Sequence, residues 1–414
     1  MKVLWFTNTP SLAEGYFGES RSGGGWLKAL EANLKQVDGI ELSVAFYAPS
    51  HLKKFEYNGS VYYPINIKRN KFQRILDRAL NRIEDEEDLI RCKEIIDDFQ
   101  PDIIHIHGSE NPFGLLALDT AVKIPMVLSI QGILSVYEKF YFRGMSKSDV
   151  KKQLSVKDIL AFANPLVEYR LMKKKAAREQ LIFKYMKNIL GRTDWDAYVT
   201  NALAPAANYF KSEELLRENF YSNIWTAPRN KKITLFTTMS NPVYKGFETI
   251  AETITYLSQY DITWKIAGIT KSDLVYKHSK SKGLLSANKL EVLGKLDEFQ
   301  LVEQMQKSDL YVSVSHIENS PNNICEAMIL GMPVIASYAG GTGSLLEHNG
   351  QGLLVQDGDA IALAGAIISM IQNYEHAVHM GTEARKRALL RHDPSILTQT
   401  LTQQYTSIIK NNKD

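Results

Sequence analysis

Residues 315–341 read SHIENSPNNICEAMILGMPVIASYAGG, and this stretch decides how the C-terminal half of the chain folds. It continues an apolar, strand-like segment and contains two glutamates, Glu318 and Glu326, with seven residues between them. Ser320 is a favourable N-cap, and Pro321 suits the first position of a helix. The pattern therefore predicts a strand, a loop that carries Glu318, and a helix that starts at Pro321 and contains Glu326.

The start of such a helix is a favourable place for a phosphate, because the N–H groups of its first turn and the positive end of its dipole face outward there. A carboxylate inside the helix, such as that of Glu326, can accept paired hydrogen bonds from the diol of a ribose. One helix can therefore hold both the phosphate and the ribose of a nucleotide. Two glutamates near one helix also occur in proteins where they have no such role, so the spacing alone leaves both readings open.

Short apolar segments alternate with helical patterns along the whole chain. Strands are predicted at residues 3–7, 42–48, 102–108, 124–132, 232–238, 263–269, 289–294, 309–315, 332–337 and 352–356. Strands that are apolar on both faces and separated by helices are typical of parallel sheets covered by helices on both sides. A chain of 414 residues is long enough for two domains. We therefore predict an α/β protein with two Rossmann-like, doubly wound parallel-sheet domains that face a cleft.

The domain boundary is expected where the alternation of strands and helices lapses, between residues 201 and 232. We assign residues 1–205 to an N-terminal domain with a basic helical insertion at about 139–190. Residues 206–393 form the C-terminal domain, and residues 394–414 form a last helix expected to pack back toward the N-terminal domain.

The opening stretch resembles a motif of the retaining glycosyltransferases of family 4, the glycosyl transferases group 1, of the bacterial polysaccharide-biosynthesis type. The likeness rests on the two glutamates, the following AM, GMPV and GG, and GQGLLVQDGD at 350–359. The resemblance implies the two-domain GT-B fold and a nucleotide-sugar donor, a UDP- or GDP-sugar. It also implies roles: Glu326 binds the ribose, Glu318 contacts the transferred sugar at the reaction centre, and the backbone of Pro321, Asn322 and Asn323 contacts the pyrophosphate or the sugar.

The same family usually supplies an Arg and a Lys, five residues apart, to neutralise the departing diphosphate. Here Lys245 and the following glycine are present, but Ser240 stands at the arginine position. Lys295 or Arg192 could supply the second positive charge, and the sequence does not choose between them.

The N-terminal half contributes further candidates. Gly24 and Gly25 precede a predicted helix in a loop that, in the resembled family, faces the donor phosphate; a simple flexible turn is the alternative. His107, at the end of a predicted strand, or Glu110 shortly after it is expected to line the cleft, His107 as a catalytic residue; a packed or hydrogen-bonded histidine is the alternative. Gln131 stands where many family members have a histidine that contacts the donor sugar, and an amide can still donate a hydrogen bond to a hydroxyl.

A metal site and a cofactor beyond the donor are not expected. The DWD triplet at 194–196 looks like the metal-binding DxD of other glycosyltransferases, but Thr193 followed by Asp196 is typical of a capping box. The two cysteines, Cys92 and Cys325, lie far apart and do not suggest a zinc site or a disulfide framework.

Charge is unevenly distributed, although the net charge is only +3. Residues 139–192 contain 14 Lys or Arg and 4 Asp or Glu, mixed with apolar residues at helical spacing. This composition fits peripheral contact with an anionic membrane or an ordinary charged helical surface. No nucleic-acid-binding motif accompanies it. The sequence shows no signal peptide pattern and no membrane span, so we expect a cytoplasmic location, either free or peripheral on the inner face of the cell membrane.

The resulting hypothesis is a hexosyltransferase-type enzyme of class EC 2.4, which transfers a sugar with retention to a glycan or lipid-linked glycan in bacterial surface polysaccharide biosynthesis. A sugar-nucleotide epimerase on the GT-B fold and a non-catalytic sugar-binding protein are the alternatives.

Overall fold

A computed structural model of the chain describes residues 1–17, 25–49, 52–67, 71–83, 86–228, 232–240, 242–285 and 289–412. Within those ranges, no helix combines the length and the apolar character needed to cross a membrane.

The N-terminal domain is built on an eight-stranded sheet. Its strands are β1 (Lys2–Thr7), β2 (Glu41–Pro49), β3 (Phe55–Tyr57), β4 (Ser60–Ile67), β5 (Ile103–His107), β6 (Met126–Ser129), β7 (Asn188–Gly191) and β8 (Asn208–Lys211), in the order β3-β4-β2-β1-β5-β6-β7-β8. Only the β3–β4 pair is antiparallel among the paired strands of this sheet. The strand order reverses between β1 and β5, and ligands of such sheets bind beyond the carboxyl ends of the strands at that point.

Helices cover both faces of this sheet. They are α1 (Gly25–Leu34), α2 (Lys71–Ala79), α3 (Glu86–Phe99), α4 (Leu134–Phe140), α5 (Lys147–Gln153), α6 (Val156–Leu160), α7 (Pro165–Tyr185) and α8 (Asp194–Leu203), with 3₁₀ turns at Ser11–Phe17 and Pro112–Leu118. The short helix α9 (Glu218–Tyr221) follows β8 and leads into the second domain.

The C-terminal domain contains a six-stranded, fully parallel sheet. Its strands are β9 (Ile233–Thr238), β10 (Ile262–Ala267), β11 (Leu290–Gly294), β12 (Leu310–Ser313), β13 (Val334–Tyr338) and β14 (Leu353–Gln356), in the order β11-β10-β9-β12-β13-β14. The helices are α10 (Phe247–Tyr256), α11 (Leu274–Ser281), α12 (Glu298–Gln306), α13 (Asn322–Leu330), α14 (Ala360–Gln372) and α15 (Tyr374–Arg391), with 3₁₀ turns at Val243–Lys245 and Gly340–Ser344. The switch point lies between β9 and β12, so the loop that carries Glu318 starts there.

The last helix, α16 (Pro394–Asn411), returns to the N-terminal domain, as the sequence predicts. Its Tyr405 is fully buried and accepts a hydrogen bond from the indole N–H of Trp5 in β1 at 3.1 Å. The predicted boundary at residue 205 is wrong in one respect: β8 pairs with β7, so the N-terminal sheet extends to Lys211.

The two domains are joined by more than the chain connection. Residues 142–154, between α4 and the end of α5, leave the N-terminal domain and dock on the other one; we call this segment the clasp. Met145 and Val150 of the clasp are 4% and 0% exposed and belong to the same apolar core as Trp264 in β10 and Val312 in β12. Separation of the domains would therefore expose apolar surface of the clasp to water.

Candidate functional site

A cavity of about 710 Å³ lies between the domains, at the carboxyl ends of both sheets. The loops after β9, β10, β11 and β12 form one wall with the start of α13, and the N-terminal domain forms the other. Eight of the residues predicted for the site line this cleft: Gly25, Gln131, Lys245, Glu318, Pro321, Asn322, Asn323 and Glu326. Gly24 lies outside the described residues, so its predicted role stays a prediction.

Helix α13 starts one residue later than the sequence predicts. Pro321 occupies the N-cap position rather than the first helical position, no side chain caps the helix, and Gly331 ends it with φ of 89°. The N–H of Ile324 donates to Oδ1 of Asn323 at 3.0 Å, so the N–H groups of the first turn that are left to face the cleft are those of Asn322 and Asn323, which line it. The side chain of Asn323 holds this turn against β9, since its amide donates to the carbonyl of Thr238 at 3.1 Å.

Glu326 forms a bidentate ion pair with Arg217, a residue that sequence analysis missed. Nε and Nη2 of Arg217 each donate to one carboxylate oxygen at 2.7 Å. The Glu326 side chain is 9% exposed and that of Arg217 is 24% exposed. Burial raises the pKa of Glu326, and the charge and hydrogen bonds of Arg217 oppose that rise. Arg217 therefore favours the ionised carboxylate that a ribose diol would need.

Gly25, in the N-terminal domain, lies directly against the side chain of Arg217. A Cβ atom at Gly25 would lie 2.7 Å from Cγ of Arg217, closer than two carbon atoms can approach. The glycine at the start of α1 thus leaves the space in which the stem of Arg217 lies.

Lys245 and Glu318 form the second ion pair of the cleft. Their side chains are 21% and 11% exposed, so both are largely shielded from solvent. Gly246, with φ of 80°, permits the approach: a Cβ atom there would lie 2.1 Å from the carbonyl oxygen of Val314. The lysine and the glycine after it, which the sequence singled out, therefore act together to place Lys245 beside Glu318.

More cationic side chains line the cleft than the single lysine, Lys245, that matches the family motif. Ser240 does line it at the position of the missing arginine, while Arg192 and Lys295, the two suggested substitutes, line it as well. Nη1 of Arg192 pairs with Glu214 at 2.6 Å. With Arg217 and Lys245, four cationic side chains surround the cavity, and Lys295 forms no ion pair within the described part of the chain.

Gln131 and Asn319 connect the two walls. Asn319 donates to the backbone carbonyl of Gln131 at 3.3 Å and accepts a hydrogen bond from the hydroxyl of Thr193 at 2.9 Å. Nε2 of Gln131 is buried and has no hydrogen-bond partner among the described residues. An unused amide donor at the edge of the cleft is suited to a hydroxyl of a bound sugar.

His107 is not part of the cleft, and the prediction that it faces the site is wrong. Its ring is 1% exposed and packs 4.6 Å from the ring of Trp5 and 3.8 Å from that of His105. His105 in turn contacts Tyr405 and Ser129 at 2.5 and 2.6 Å. Helices α1 and α16 cover this face of β5, and burial holds the pKa of His107 well below its usual value.

The DWD triplet forms the first turn of α8, and its Asp196 belongs to the cap of that helix. The hydroxyl of Thr193 accepts from the backbone N–H of Asp196, and the Asp196 carboxylate accepts from the N–H of Thr193, which confirms the predicted capping box. Within the ranges described above, no group of three or more His, Cys, Asp or Glu side chains could hold a metal ion. Independence from metal stays a prediction about the enzyme.

His316 ties the clasp to the loop of Glu318. Its two ring nitrogens contact Asp357 at 2.5 Å and Glu248 at 2.6 Å, and Arg143 of the clasp reaches the same Asp357 at 3.2 Å. Burial alone would lower the pKa of His316, but the two carboxylates outweigh burial and raise it to about 9. His316 lies two residues before Glu318 in the chain. Its imidazolium shares Asp357 with Arg143 and therefore helps to hold the clasp close to the loop that carries Glu318.

Comparison with known proteins finds relatives that match different shares of the chain. N-acetyl-alpha-D-glucosaminyl L-malate synthase from Bacillus anthracis is 30% identical over 105 residues, 25% of this chain and 27% of the relative. The putative teichuronic acid biosynthesis glycosyltransferase TuaC from Bacillus subtilis is 23% identical over 393 residues, 91% of this chain and 90% of the relative. In the first of these alignments the chain spans little more than a quarter of its relative's length.

Solved structures share the fold. Sucrose-phosphate synthase from Thermosynechococcus elongatus superposes with a TM-score of 0.72 at 15% identity, covering 99% of both chains. HepE from Anabaena in complex with UDP-glucose superposes with a TM-score of 0.64 at 16% identity, covering 98% of this chain and 100% of the other. These likenesses confirm the predicted two-domain GT-B fold. Residues 218–387 match the family described as Glycosyl transferases group 1.

Proposed function

We propose that this chain is a retaining glycosyltransferase of the family 4 type, which transfers a sugar from a nucleotide-sugar donor to a glycan or lipid-linked glycan of a bacterial surface polysaccharide. The observation that carries the proposal is the position of Glu318 and Glu326 on the two sides of the uncapped start of α13, inside an interdomain cleft. The printed name of the Bacillus subtilis relative, which aligns over most of the chain, supports the polysaccharide context.

A UDP-sugar is the proposed donor, with a GDP-sugar as the other candidate. The Anabaena neighbour of the same fold is described in complex with UDP-glucose. In this chain the diphosphate would lie against the first turn of α13, where N–H groups and the helix dipole favour negative charge. The ribose diol would then reach Glu326, one turn further into the helix.

Lys245 is the proposed stabiliser of the leaving group. In the transfer step, the bond between the anomeric carbon and the diphosphate oxygen breaks while the acceptor oxygen attacks from the same face, and the acceptor proton passes to the departing diphosphate. Negative charge grows on the diphosphate, and a fixed cation in a shielded site lowers the barrier. Once Lys245 turns to phosphate, the Glu318 carboxylate gains acceptor capacity for hydroxyls of the transferred sugar.

The acceptor would enter from the N-terminal domain, where the buried amide of Gln131 has an unused donor. We further propose that the enzyme works on the inner face of the cell membrane, since a lipid-linked acceptor is held there. No cofactor besides the donor is part of this proposal.

Nucleotide binding is the first test. The melting temperature of the purified chain is measured with UDP, GDP and their sugars, because a ligand that binds only the folded state raises it. Glu326→Ala should abolish most of that rise, whereas Glu318→Ala should keep it and slow transfer by roughly 100-fold or more, the scale of losing one fixed electrostatic group. Glu303→Ala is the matched control, since Glu303 is an exposed glutamate on α12.

Transfer is followed by mass spectrometry of products from a donor panel and a membrane extract. The proposal fails if no nucleotide of the panel raises the melting temperature. It fails equally if both cleft variants behave like Glu303→Ala.

A further inference from the structure

His107 is a buried residue whose polar atoms are not satisfied by the protein. It is 1% exposed, and neither Nδ1 nor Nε2 meets a hydrogen-bond partner among the residues that the structure describes. Burial holds the pKa of His107 well below its usual value, so the ring is neutral and carries one N–H donor and one acceptor nitrogen. Buried polar groups are nearly always hydrogen-bonded, because burying them without a partner costs free energy. A partner other than a protein group is therefore expected beside this ring.

The neighbouring His105, on the same face of β5, is satisfied by the protein itself. Its two ring nitrogens contact the hydroxyls of Tyr405 and Ser129 at 2.5 and 2.6 Å. The same Tyr405 hydroxyl accepts from the indole N–H of Trp5 at 3.1 Å. These hydroxyls are engaged with other groups, so they do not complete the hydrogen bonds of His107.

A small cavity of about 20 Å³ lies beside His107. Helices α1 and α16 contribute apolar side chains to its lining, among them Trp26 and Leu397, while His107, Ser212 and Glu214 contribute polar groups. A buried water requires a volume of about 10–15 Å³ and two to four polar partners. The cavity therefore has room for one water molecule and offers it enough partners.

This cavity and the interdomain cleft share one wall. Trp26, Arg192 and Glu214 line both spaces. Nη1 of Arg192 donates to Glu214 at 2.6 Å, and Nη2 donates to the carbonyl of Ile130 at 2.5 Å. Burial raises the pKa of Glu214, and the charge of Arg192 and the amide of Asn322, the first residue of α13, oppose that rise. The ion pair of Arg192 and Glu214 thus separates the small cavity from the start of α13.

We propose that one buried water molecule occupies this cavity and joins the ring of His107 to the carboxylate of Glu214. A neutral imidazole and a carboxylate suit such a bridge, because the water donates one hydrogen to Glu214 and uses its remaining capacity on a ring nitrogen. His107 is then a positioning residue. It acts through the water on Glu214, and through Glu214 on Arg192 at the wall of the cleft.

The inference deepens the proposed function, on which its consequence for the donor rests. The side chains of Arg192 and Glu214 are 6% and 10% exposed, so the pair is held in a shielded site. A cation held in a fixed position stabilises the negative charge of a diphosphate better than one that must reorient. Loss of the water frees the Glu214 carboxylate to shift and takes Arg192 with it, so nucleotide binding should weaken while the fold persists.

A crystal structure of the full chain tests the water directly. Electron density for one water is expected within about 3 Å of a ring nitrogen of His107 and of a carboxylate oxygen of Glu214. The variant His107→Phe should lack this water, because a phenyl ring is larger than an imidazole and has no polar atom. A wild-type cavity without ordered density, or a His107 nitrogen bonded directly to a protein group, overturns the proposal.

Calorimetric titration separates positioning from stability. The ligand is whichever of UDP and GDP raises the melting temperature more. His107→Phe should raise its Kd about threefold to tenfold, the scale of one hydrogen bond, and His107→Gln, which keeps a donor and an acceptor, should bring it back toward the wild-type value. A loss of folded protein alone would lower the number of sites and leave Kd unchanged. The control His379→Phe, at an exposed histidine of α15, should bind as the wild type does.

Two results of the titration would overturn the positioning role of His107. One is a Kd of His107→Phe equal to that of the wild type. The other is a Kd of His107→Gln as high as that of His107→Phe, since the effect would then not follow hydrogen bonding. Should His107→Phe fail to fold, the wild-type density and the Kd of His107→Gln decide.

A cycle of variants without nucleotide separates this inference from the proposed function. Tm is measured for the wild type, His107→Phe, Glu214→Gln and the double variant. If the water couples the two residues, the double variant should lose less Tm than the sum of the two single losses, and additive losses overturn the link. If the water and the coupling are found but no nucleotide stabilises the wild type, the proposed function fails and the water site stands. If nucleotides bind but the losses are additive, this inference alone fails.

Discussion

Arg217→Met removes the cation from the buried pair with Glu326 and keeps a side chain of similar length. Breaking a fully buried pair costs about 3–5 kcal/mol, and losing an exposed pair costs about 0–1 kcal/mol. The Arg217 side chain is one quarter exposed and Glu326 nearly buried. We therefore expect a loss of roughly 2–3 kcal/mol in the free energy of unfolding, which corresponds to a fall of about 4–12 °C in Tm for a domain of this size.

The loss should depend on pH in a definite direction. Burial already raises the pKa of Glu326 against the influence of Arg217, so removal of Arg217 lets that pKa rise further. A carboxyl whose pKa in the folded state lies above its unfolded value loses stability as the pH rises from the unfolded pKa, and the full cost is present above the folded pKa. The deficit of Arg217→Met relative to the wild type should therefore be larger at pH 8 than at pH 5, because a higher pH favours the unpaired carboxylate over its protonated form.

Thermal unfolding of four proteins measures this effect: the wild type, Arg217→Met, Glu326→Gln and the double variant. In the double variant no carboxylate is left unpaired, so its deficit relative to Glu326→Gln should be smaller and nearly independent of pH. A deficit of Arg217→Met that is the same at both pH values, or that Glu326→Gln does not relieve, would refute the account of Glu326 as a buried carboxylate held ionised by Arg217.

Two further predictions concern the clasp. The ion pairs of His316 stabilise the fold fully below the unfolded pKa of about 6.5 and are lost as the pH rises through about 9, so the wild type should lose Tm over that interval and His316→Asn should not. Val150→Asp should lower the free energy of unfolding by about 3 kcal/mol or more, because it places a charge in the core of the C-terminal domain. The clasp should then detach, which X-ray scattering would detect as a larger radius of gyration. The control Val156→Asp, at a residue 73% exposed, should leave both Tm and the radius of gyration unchanged.

Alternating apolar segments predict most of the fold, and β4 shows where that signal ends. Its residues SVYYPINI include Pro64, which usually argues against a strand inside a sheet. In the structure β3 pairs with β4 only as far as Tyr62, so Pro64 lies where β4 has a partner on one side, β2. On the side of β4 that has no neighbouring strand at Pro64, the missing N–H therefore removes no hydrogen bond between strands. Three-residue β3 is too short to give a pattern of its own.

In the site, too, the sequence predicts the residues that are placed by neighbouring parts of the chain and misses those placed by contacts with distant parts. Residues set by one strand–loop–helix unit, such as Glu318, Pro321 and Glu326, reach the cleft as the sequence predicts. Arg217 carries no local signal, because its partner lies 109 residues away in the chain. His107 is missed for the same reason: α16, which covers this face of β5 together with α1, places Tyr405 beside His105 from 300 residues further along the chain.

The two ion pairs explain how carboxylates can serve in a shielded cleft. Glu318 and Glu326 are about one tenth exposed, and a buried charge is costly unless it is paired and hydrogen-bonded. Lys245 and Arg217 supply those partners, yet the same cations are attracted by the two charges of a donor diphosphate at the start of α13. Under the proposed function, donor binding therefore exchanges carboxylate for phosphate at each cation and frees carboxylate oxygens for sugar hydroxyls. Recognition of the phosphate and of the two sugars then becomes a single coupled event, since neither carboxylate is fully available until the diphosphate has bound.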